Sequence, residues 1–361
     1  MKATLFASVM ALSLIACSGG DTKTKNSEDT TKTEATSSNR DQIKIVGSST
    51  VYPFATTVAE NFGRTTAFKT PIVESTGSGG GLKLFCSGKG ENHPDITNAS
   101  RRIKASEVQQ CASNGINDIV EVKVGYDGIV LANSRKSDGM ELDLRDVFLA
   151  LAKNVPDGNG GTMPNPYMKW SDVNPKLRDV KIEIMGPPPT SGTRDAFVEL
   201  AMEGGCKTFD WIKELKSSDK NAYKALCHTL REDDGFVEAG ENDNLIVQKL
   251  NANPNAFGIF GFSFLEQNAD SVQGSVIGGN APTFENISSG DYPVSRSLFF
   301  YVKKDNIGEV PGIKEFLEEF MSDRASGEDG YLAEKGLIPM NPEEHAQWKT
   351  DVLSLKSLSL N

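Results

Sequence analysis

The chain has 361 residues, 38% hydrophobic and 24% charged, which is enough for two domains of ordinary size and is the balance of a water-soluble globular protein. Its formal net charge of -11 argues against nucleic acid as a partner. The charge does not argue against a small anionic ligand, because a buried site works through local dipoles and distant surface charge is screened within about 10 Å.

In chain order, Lys2 precedes an apolar run from Leu5 to Ile15, too short to span a bilayer and suited to the apolar region of an export signal. Residues 18–40 hold almost nothing apolar and cannot offset the entropy of ordering, so 17–40 reads as a flexible tether and the fold is expected to begin near Ile43. Ile43–Val46 reads as a strand ending at Gly47. Phe54, Val58 and Phe62, spaced by four, then make one helical stripe, with Pro53 in its first turn. Pro71–Glu74, Asp95–Ala99, Gly128–Ala132 and Val180–Met185 read as further strands. One helix is expected through Leu82, Leu84 and Phe85, and another carries Phe197, Leu200 and Ala201. Leu298–Val302 is a late strand, followed by a helix through Ile313, Phe316, Leu317 and Phe320; 351–361 reads as a terminal helix or a disordered end. The alternation predicts an α/β protein with largely parallel sheets.

Three segments share one design, in which a strand runs into a loop of Ser, Thr and Gly and then into a helix. They are Gly47-Ser48-Ser49-Thr50, Thr76-Gly77-Ser78-Gly79-Gly80 and Thr190-Ser191-Gly192-Thr193-Arg194. Each places hydroxyls and unsatisfied backbone N–H groups at a helix start, which favours an anion. Ser and Thr at such junctions also serve as plain N-caps. Three such loops, and Arg194 beside a helix start where it opposes the dipole, weight the balance toward an anion site. In open α/β sheets ligands bind beyond the carboxyl ends of the strands, where these loops belong.

Two resemblances extend this reading. Leu14-Ile15-Ala16-Cys17 resembles the lipobox of bacterial lipoproteins, which implies removal of 1–16 and a lipid on Cys17. Gly47-Ser48-Ser49-Thr50-Val51-Tyr52-Pro53-Phe54, Ser78-Gly79-Gly80-Gly81-Leu82-Lys83, Asp95-Ile96-Thr97-Asn98-Ala99-Ser100-Arg101 and Ser191-Gly192-Thr193-Arg194-Asp195 resemble the phosphate-binding periplasmic component of the high-affinity phosphate ABC importer. The resemblance covers most of 43–340. It implies a type II periplasmic binding protein: two lobes, each a mainly parallel sheet flanked by helices, with the ligand in the cleft between them. Lobe I is then 41–127 plus 298–361 and lobe II is 128–297, with crossing strands near 126–130 and 295–300.

Carried over by position, Ser49, Thr50 and the Val51 N–H belong to the first phosphate loop, Ser78 to the second, and Ser191, Gly192 and Thr193 to the third. Arg101 stands where one branch of the family has an aspartate that accepts the proton of hydrogen phosphate, and Pro187 stands where that branch has an arginine. Arg101 and Arg194 look like the cationic substitutes of the other branch, and Asp127 becomes the candidate proton acceptor, with a plain turn role as the alternative. The resemblance implies a monomeric binding protein anchored through lipid at the periplasmic face, with inorganic phosphate as ligand and the importer's membrane subunits as partner. The same fold binding sulfate, molybdate or arsenate, a phosphate sensor without a transport role, and a secreted phosphatase are the rivals.

Beyond Cys17 four cysteines remain, and they allow three pairings. In an oxidising periplasm the simplest is Cys86–Cys111 with Cys206–Cys227, with free buried thiols as the alternative. No cofactor or metal is expected. His93, His228 and His345 have no metal-ligand spacing, Arg231–Gly235 and Glu241–Asn244 lack the spacing of a calcium loop, and no nucleophile motif appears beyond an isolated Ser217–Lys220. Trp170 and Trp211 read as packing anchors.

Overall fold

The structure, a computed structural model, describes residues 40–240 and 243–360. The expected export signal, Cys17 and the tether up to residue 39 lie outside the described residues.

The order across the main sheet is Ile72–Ser75, Lys44–Gly47, Ile96–Ala99, Ser295–Lys303, Ile119–Ser134, Phe257–Gly261, Ile184–Gly186 and Phe236–Glu238. The outer pairs are parallel, and the pairs made by the two long strands at the centre are antiparallel. Ile119–Ser134 is the spine. Its first part, from Ile119 to Gly128, pairs with Ser295–Lys303, and its second, from Ile129 to Asn133, pairs with Phe257–Gly261. Its side chains are buried on both faces almost throughout, so it reads as a continuous apolar run with no alternation. The sequence therefore shows only Gly128–Ala132, in its second half.

The first helix, Tyr52–Thr65, follows the predicted stripe: Phe54, Val58 and Phe62 are buried, and Pro53 sits in its first turn, where no N–H is missed. Phe62 stacks on Phe68 and meets Phe316 edge-on, which ties this helix to Ile313–Phe320. Trp170 is fully buried and edge-on to Phe257, a core anchor as expected; Trp211 is partly buried against the same core.

Three expectations are corrected. The strand expected over Val180–Met185 begins only at Ile184, because the Val180 carbonyl accepts the Trp170 N–H and the Ile182 N–H donates to the Met168 carbonyl, pairing Lys181 with Lys169 instead. The helix beginning at Gly192 opens into a π-helical turn over Val198–Met202 before resuming at Glu203–Cys206. The C-terminal region is neither helix alone nor disordered: Pro342–Leu353 is helical, and Ser357 and Leu358 then pair with Val120 and Ile119 at the start of the spine.

The disulfides are Cys86–Cys111 and Cys206–Cys227, with sequence separations of 25 and 21 residues. Cys86 and Cys111 join the helices Ser78–Phe85 and Ala105–Ser113. Cys206–Cys227 closes the helical stretch that begins at Gly192 onto Lys220–His228. In the chain-entropy account each is worth about 3 kcal/mol.

Candidate functional site

Lys44–Gly47, Ile72–Ser75 and Ile96–Ala99 are mutually parallel neighbours, so their carboxyl ends and the loops after them lie side by side. The Ser48 N–H donates to the Asn98 carbonyl at 3.0 Å and the Thr76 N–H to the Gly47 carbonyl at 2.8 Å, which stitches the three loops together. Gly47 has φ +133°, and a Cβ there would fall 2.1 Å from the Asn98 oxygen; only glycine fits this junction. Val51 is fully buried at the N-cap of Tyr52–Thr65, and the Val51 N–H donates weakly to the Ser48 hydroxyl at 3.4 Å. Ser78 opens the second helix. Its hydroxyl accepts the Ser100 N–H at 3.0 Å and lies 3.0 Å from the Ser100 hydroxyl.

The third loop arrives from a distant part of the chain. Ser191 caps the helix beginning at Gly192, its hydroxyl accepting the Thr193 N–H at 3.2 Å. Gly192 sits directly against the first loop: a Cβ on it would lie 3.2 Å from the Ser49 carbonyl oxygen and 3.3 Å from the Thr50 Cα. Across this junction the Ser49 hydroxyl donates to the Asp195 carboxylate at 2.6 Å. Ser49, Thr50, Val51, Ser191, Gly192 and Thr193 thus form one cluster, and Ser78 joins it through the neighbouring strand ends.

The cation in this cluster is Arg296, which sequence reading missed. Its side chain is only 9% exposed. The guanidinium donates to the Thr50 hydroxyl at 2.7 Å, to the Glu199 carboxylate at 2.6 Å and to the Asp127 carboxylate at 3.3 Å. Arg296 stands directly opposite Asp127 in the register of the two long central strands. No local motif marks it, and only that strand pairing delivers it to the first loop.

The two arginines singled out from sequence are engaged elsewhere. Arg101 makes a two-pronged pair with Glu107, at 2.7 and 2.9 Å, and this pairing raises the guanidinium above its ordinary range. Burial pushes the Glu107 carboxyl up, but Arg101 and the Lys104 N–H outweigh it and hold it below the usual carboxylate range. Arg194 donates to the Pro187 carbonyl at 2.9 Å and lies over the Phe236 ring, 4.6 Å from its centre, where burial lowers its guanidinium. It lines a cavity of about 530 Å³ with Asp195, His228, Arg231, Phe236 and Glu238. Asp127 does lie at the cluster, bound to Arg296; burial pushes its carboxyl up and the guanidinium pulls against that.

Among the described residues no group of three or more His, Cys, Asp or Glu side chains is placed to hold a metal ion. Ser326, His345 and Asp323 fall in a row, with Ser326 Oγ 3.0 Å from His345 Nε2 and His345 Nδ1 3.6 Å from the Asp323 carboxylate. Ser326 and His345 are buried, and the Ser326 hydroxyl donates to the Phe320 carbonyl at 2.7 Å, so that pair is a packing contact, with Asp323 on the surface beside it. No helix among the described residues is long and apolar enough to cross a membrane.

Comparison with known proteins agrees with this architecture. Residues 32–324 match the family model of the PBP superfamily domain, and the chain belongs to that superfamily of substrate-binding proteins. It is 28% identical over 348 residues to the phosphate-binding protein PstS of Staphylococcus saprophyticus, covering 94% of this chain and 91% of the relative. It is 28% identical over 312 residues to protein SphX of Synechocystis, covering 84% and 79%. Among solved structures it resembles a possible phosphate binding protein from Planctomyces limnophilus, with TM-score 0.69 and 25% identity over 88% of this chain and 99% of that one. An ABC-type phosphate transport receptor from Vibrio cholerae shares the fold at TM-score 0.55 and 19% identity, over 83% of this chain and 100% of that one.

Proposed function

From membership of the PBP superfamily we propose that this chain captures inorganic phosphate outside the cytoplasmic membrane and delivers it to an ABC importer. The observation that carries the reading is the convergence of three donor loops, from segments about 30 and 140 residues apart, onto one cluster that also holds Arg296. Hydroxyls of Ser49, Thr50, Ser78, Ser191 and Thr193, first-turn N–H groups including that of Val51, the Gly192 backbone and the Arg296 guanidinium supply donors of the kind a tetrahedral dianion needs. Arg101 and Arg194 supply positive charge from further out. A micromolar dissociation constant needs about 8 kcal/mol, within reach of this many aimed, charge-assisted bonds. Calorimetry with phosphate, arsenate, sulfate and molybdate tests the reading: phosphate binds and the others bind more weakly or not at all. Sulfate or molybdate binding tighter than phosphate would shift the ligand while keeping the site.

The two lobes of this reading are 41–127 plus 298–361 and 128–297, hinged where the spine changes partners. Closure of the lobes excludes water from the donors, and the closed form is what the importer's membrane subunits receive from the monomer. An uptake assay in cells lacking the gene separates this role from phosphate sensing: a transport component loses high-affinity phosphate uptake, and a sensor does not.

Selectivity for phosphate over sulfate requires an acceptor for the phosphate proton, and Asp127 is the carboxylate assigned here. Asp127→Asn keeps the shape and removes the acceptor. Phosphate affinity is expected to fall at least tenfold relative to sulfate, since a site that reads a hydroxyl leaves a buried group unpaired when the partner is wrong. An unchanged phosphate-to-sulfate ratio sinks the assignment.

The lipid anchor is placed on Cys17 by the same reading, in a periplasmic or cell-surface lipoprotein. A fatty-acid analogue fed to cells is expected to label the chain and to leave Cys17→Ser unlabelled and released from membranes. Equal labelling of both forms rules Cys17 out.

A further inference from the structure

The donors assigned to phosphate are held in this structure by two carboxylates of the chain itself. Asp195 accepts the Ser49 hydroxyl at 2.6 Å, and Glu199 accepts from Arg296 at 2.6 Å. The two acidic residues are one helical turn apart in the stretch that follows the third loop, so they lie on the same face. Both bonds join sequence segments about 100 to 150 residues apart: the Ser49–Asp195 bond crosses from the first loop of lobe I to the 191–199 stretch of lobe II, and the Arg296–Glu199 bond ties that stretch to the return strand at the hinge, where Arg296 faces Asp127. Neither carboxylate has another hydrogen-bonded or ion-paired partner among those described. Each takes up a donor as a phosphate oxygen would: a carboxylate oxygen on a hydroxyl, and another on a guanidinium.

We propose that Asp195 and Glu199 form an internal anionic latch that holds the cleft shut on its own donors and must be displaced by phosphate. This rests on the phosphate reading above and deepens it, by naming residues that set the affinity without supplying a favourable contact to the ligand. Intramolecular competition lowers apparent affinity by the fraction of time the donors are free. A hydrogen bond to a charged group is worth enough to make that factor about ten. The latch also resists the charge of the ligand: a dianion entering beside two carboxylates meets repulsion until the acidic side chains swing away, which their exposure allows, Glu199 being 55% exposed. Arg296 is shared by the latch and by the Thr50–Asp127 contacts, so displacing Glu199 frees one edge of its fork while the other two stay in place.

The test is phosphate calorimetry on the full exported chain and on Asp195→Asn, Glu199→Gln and the double variant, with small-angle scattering of each in phosphate-free buffer. The amides are near-isosteric and weaken the charge-assisted bonds. Each single variant is expected to bind phosphate several-fold more tightly, and the double variant about tenfold or more. The double variant is also expected to show a larger radius of gyration without phosphate, and the same radius as the parent once saturated. Weaker or unchanged phosphate binding in both single variants overturns the latch, because then the carboxylates support the ligand or do nothing. An unchanged radius in the double variant overturns it as well. A parent chain that gives no heat with phosphate at all overturns the functional reading, a result distinct from either.

Discussion

Replacing Arg296 by glutamine is expected to weaken phosphate binding by about 100-fold or more. The guanidinium is 9% exposed and holds Thr50, Asp127 and Glu199 at once. Truncating one partner of a buried, hydrogen-bonded charge pair typically costs 2–5 kcal/mol, much of it from the partner left behind. Here that partner is Asp127, a carboxyl that burial already pushes upward. Without Arg296 it stands uncompensated beside the place assigned to a dianion, and the Thr50 hydroxyl loses the donor that orients it. Lysine is expected to restore little, since a single ammonium cannot serve three acceptors arranged around a planar fork. Calorimetry at fixed ionic strength measures the loss, and denaturant unfolding of the same variant separates it from a folding defect. Affinity within threefold of the parent would remove Arg296 from the site. The same variant also breaks the Glu199 arm of the latch, so its loss of affinity is a net value, smaller than the direct contribution of the guanidinium.

The second large effect is on the scaffold. Gly47→Ala is expected to destabilise the fold by about 3–5 kcal/mol, combining the strain of a positive φ with overpacking against backbone that has nowhere to move. A Cβ at Gly47 would meet the oxygen, nitrogen and carbon of Asn98 at 2.1 to 2.9 Å, and these atoms belong to the adjacent strand's own junction. From the other side, the helix after the second loop packs Gly81 so tightly on Gly47 that a Cβ on Gly81 would lie 2.4 Å from the Gly47 Cα. The two glycines let a helix start, a strand end and a neighbouring loop meet at one point. A small change at Gly47 therefore also displaces Ser48 through Thr50, and phosphate affinity is expected to fall with stability. Urea unfolding curves read the stability change; a midpoint shift worth less than about 1 kcal/mol would show that the junction relaxes.

How much of this was legible beforehand follows from the kind of signal each feature leaves. The first helix announces itself because Phe54, Val58 and Phe62 repeat at helical spacing and all three are buried. The donor loops are visible because small polar residues between a strand and a helix are rare enough to notice when they recur. The spine was only partly visible: a strand buried on both faces has no alternation, and its sixteen residues merge into apolar sequence. The strand expected from Val180 is cut short for a different reason: Val180 and Ile182 hydrogen-bond to Trp170 and Met168, a pairing that no local pattern announces. The charge pattern was the least informative. Arg101 and Arg194 stand beside recognisable motifs, yet the structure ties Arg101 to Glu107, a six-residue neighbour, and lays Arg194 on Phe236.

By itself the sequence determined the α/β alternation and the three Ser/Thr/Gly junctions, because each is written in spacing along the chain, whereas the four cysteines left three pairings open until the fold brought Cys86 to Cys111 and Cys206 to Cys227. Only the tertiary structure decided which cation serves the cluster and which carboxylates oppose it. Arg296 reaches Thr50 because two long strands, far apart in sequence, pair with Arg296 opposite Asp127. Asp195 and Glu199 reach Ser49 and Arg296 because the helix that carries them is pressed against the first loop at Gly192. Contacts of this range depend on register and packing between segments more than 90 residues apart, and nothing local in the chain encodes them.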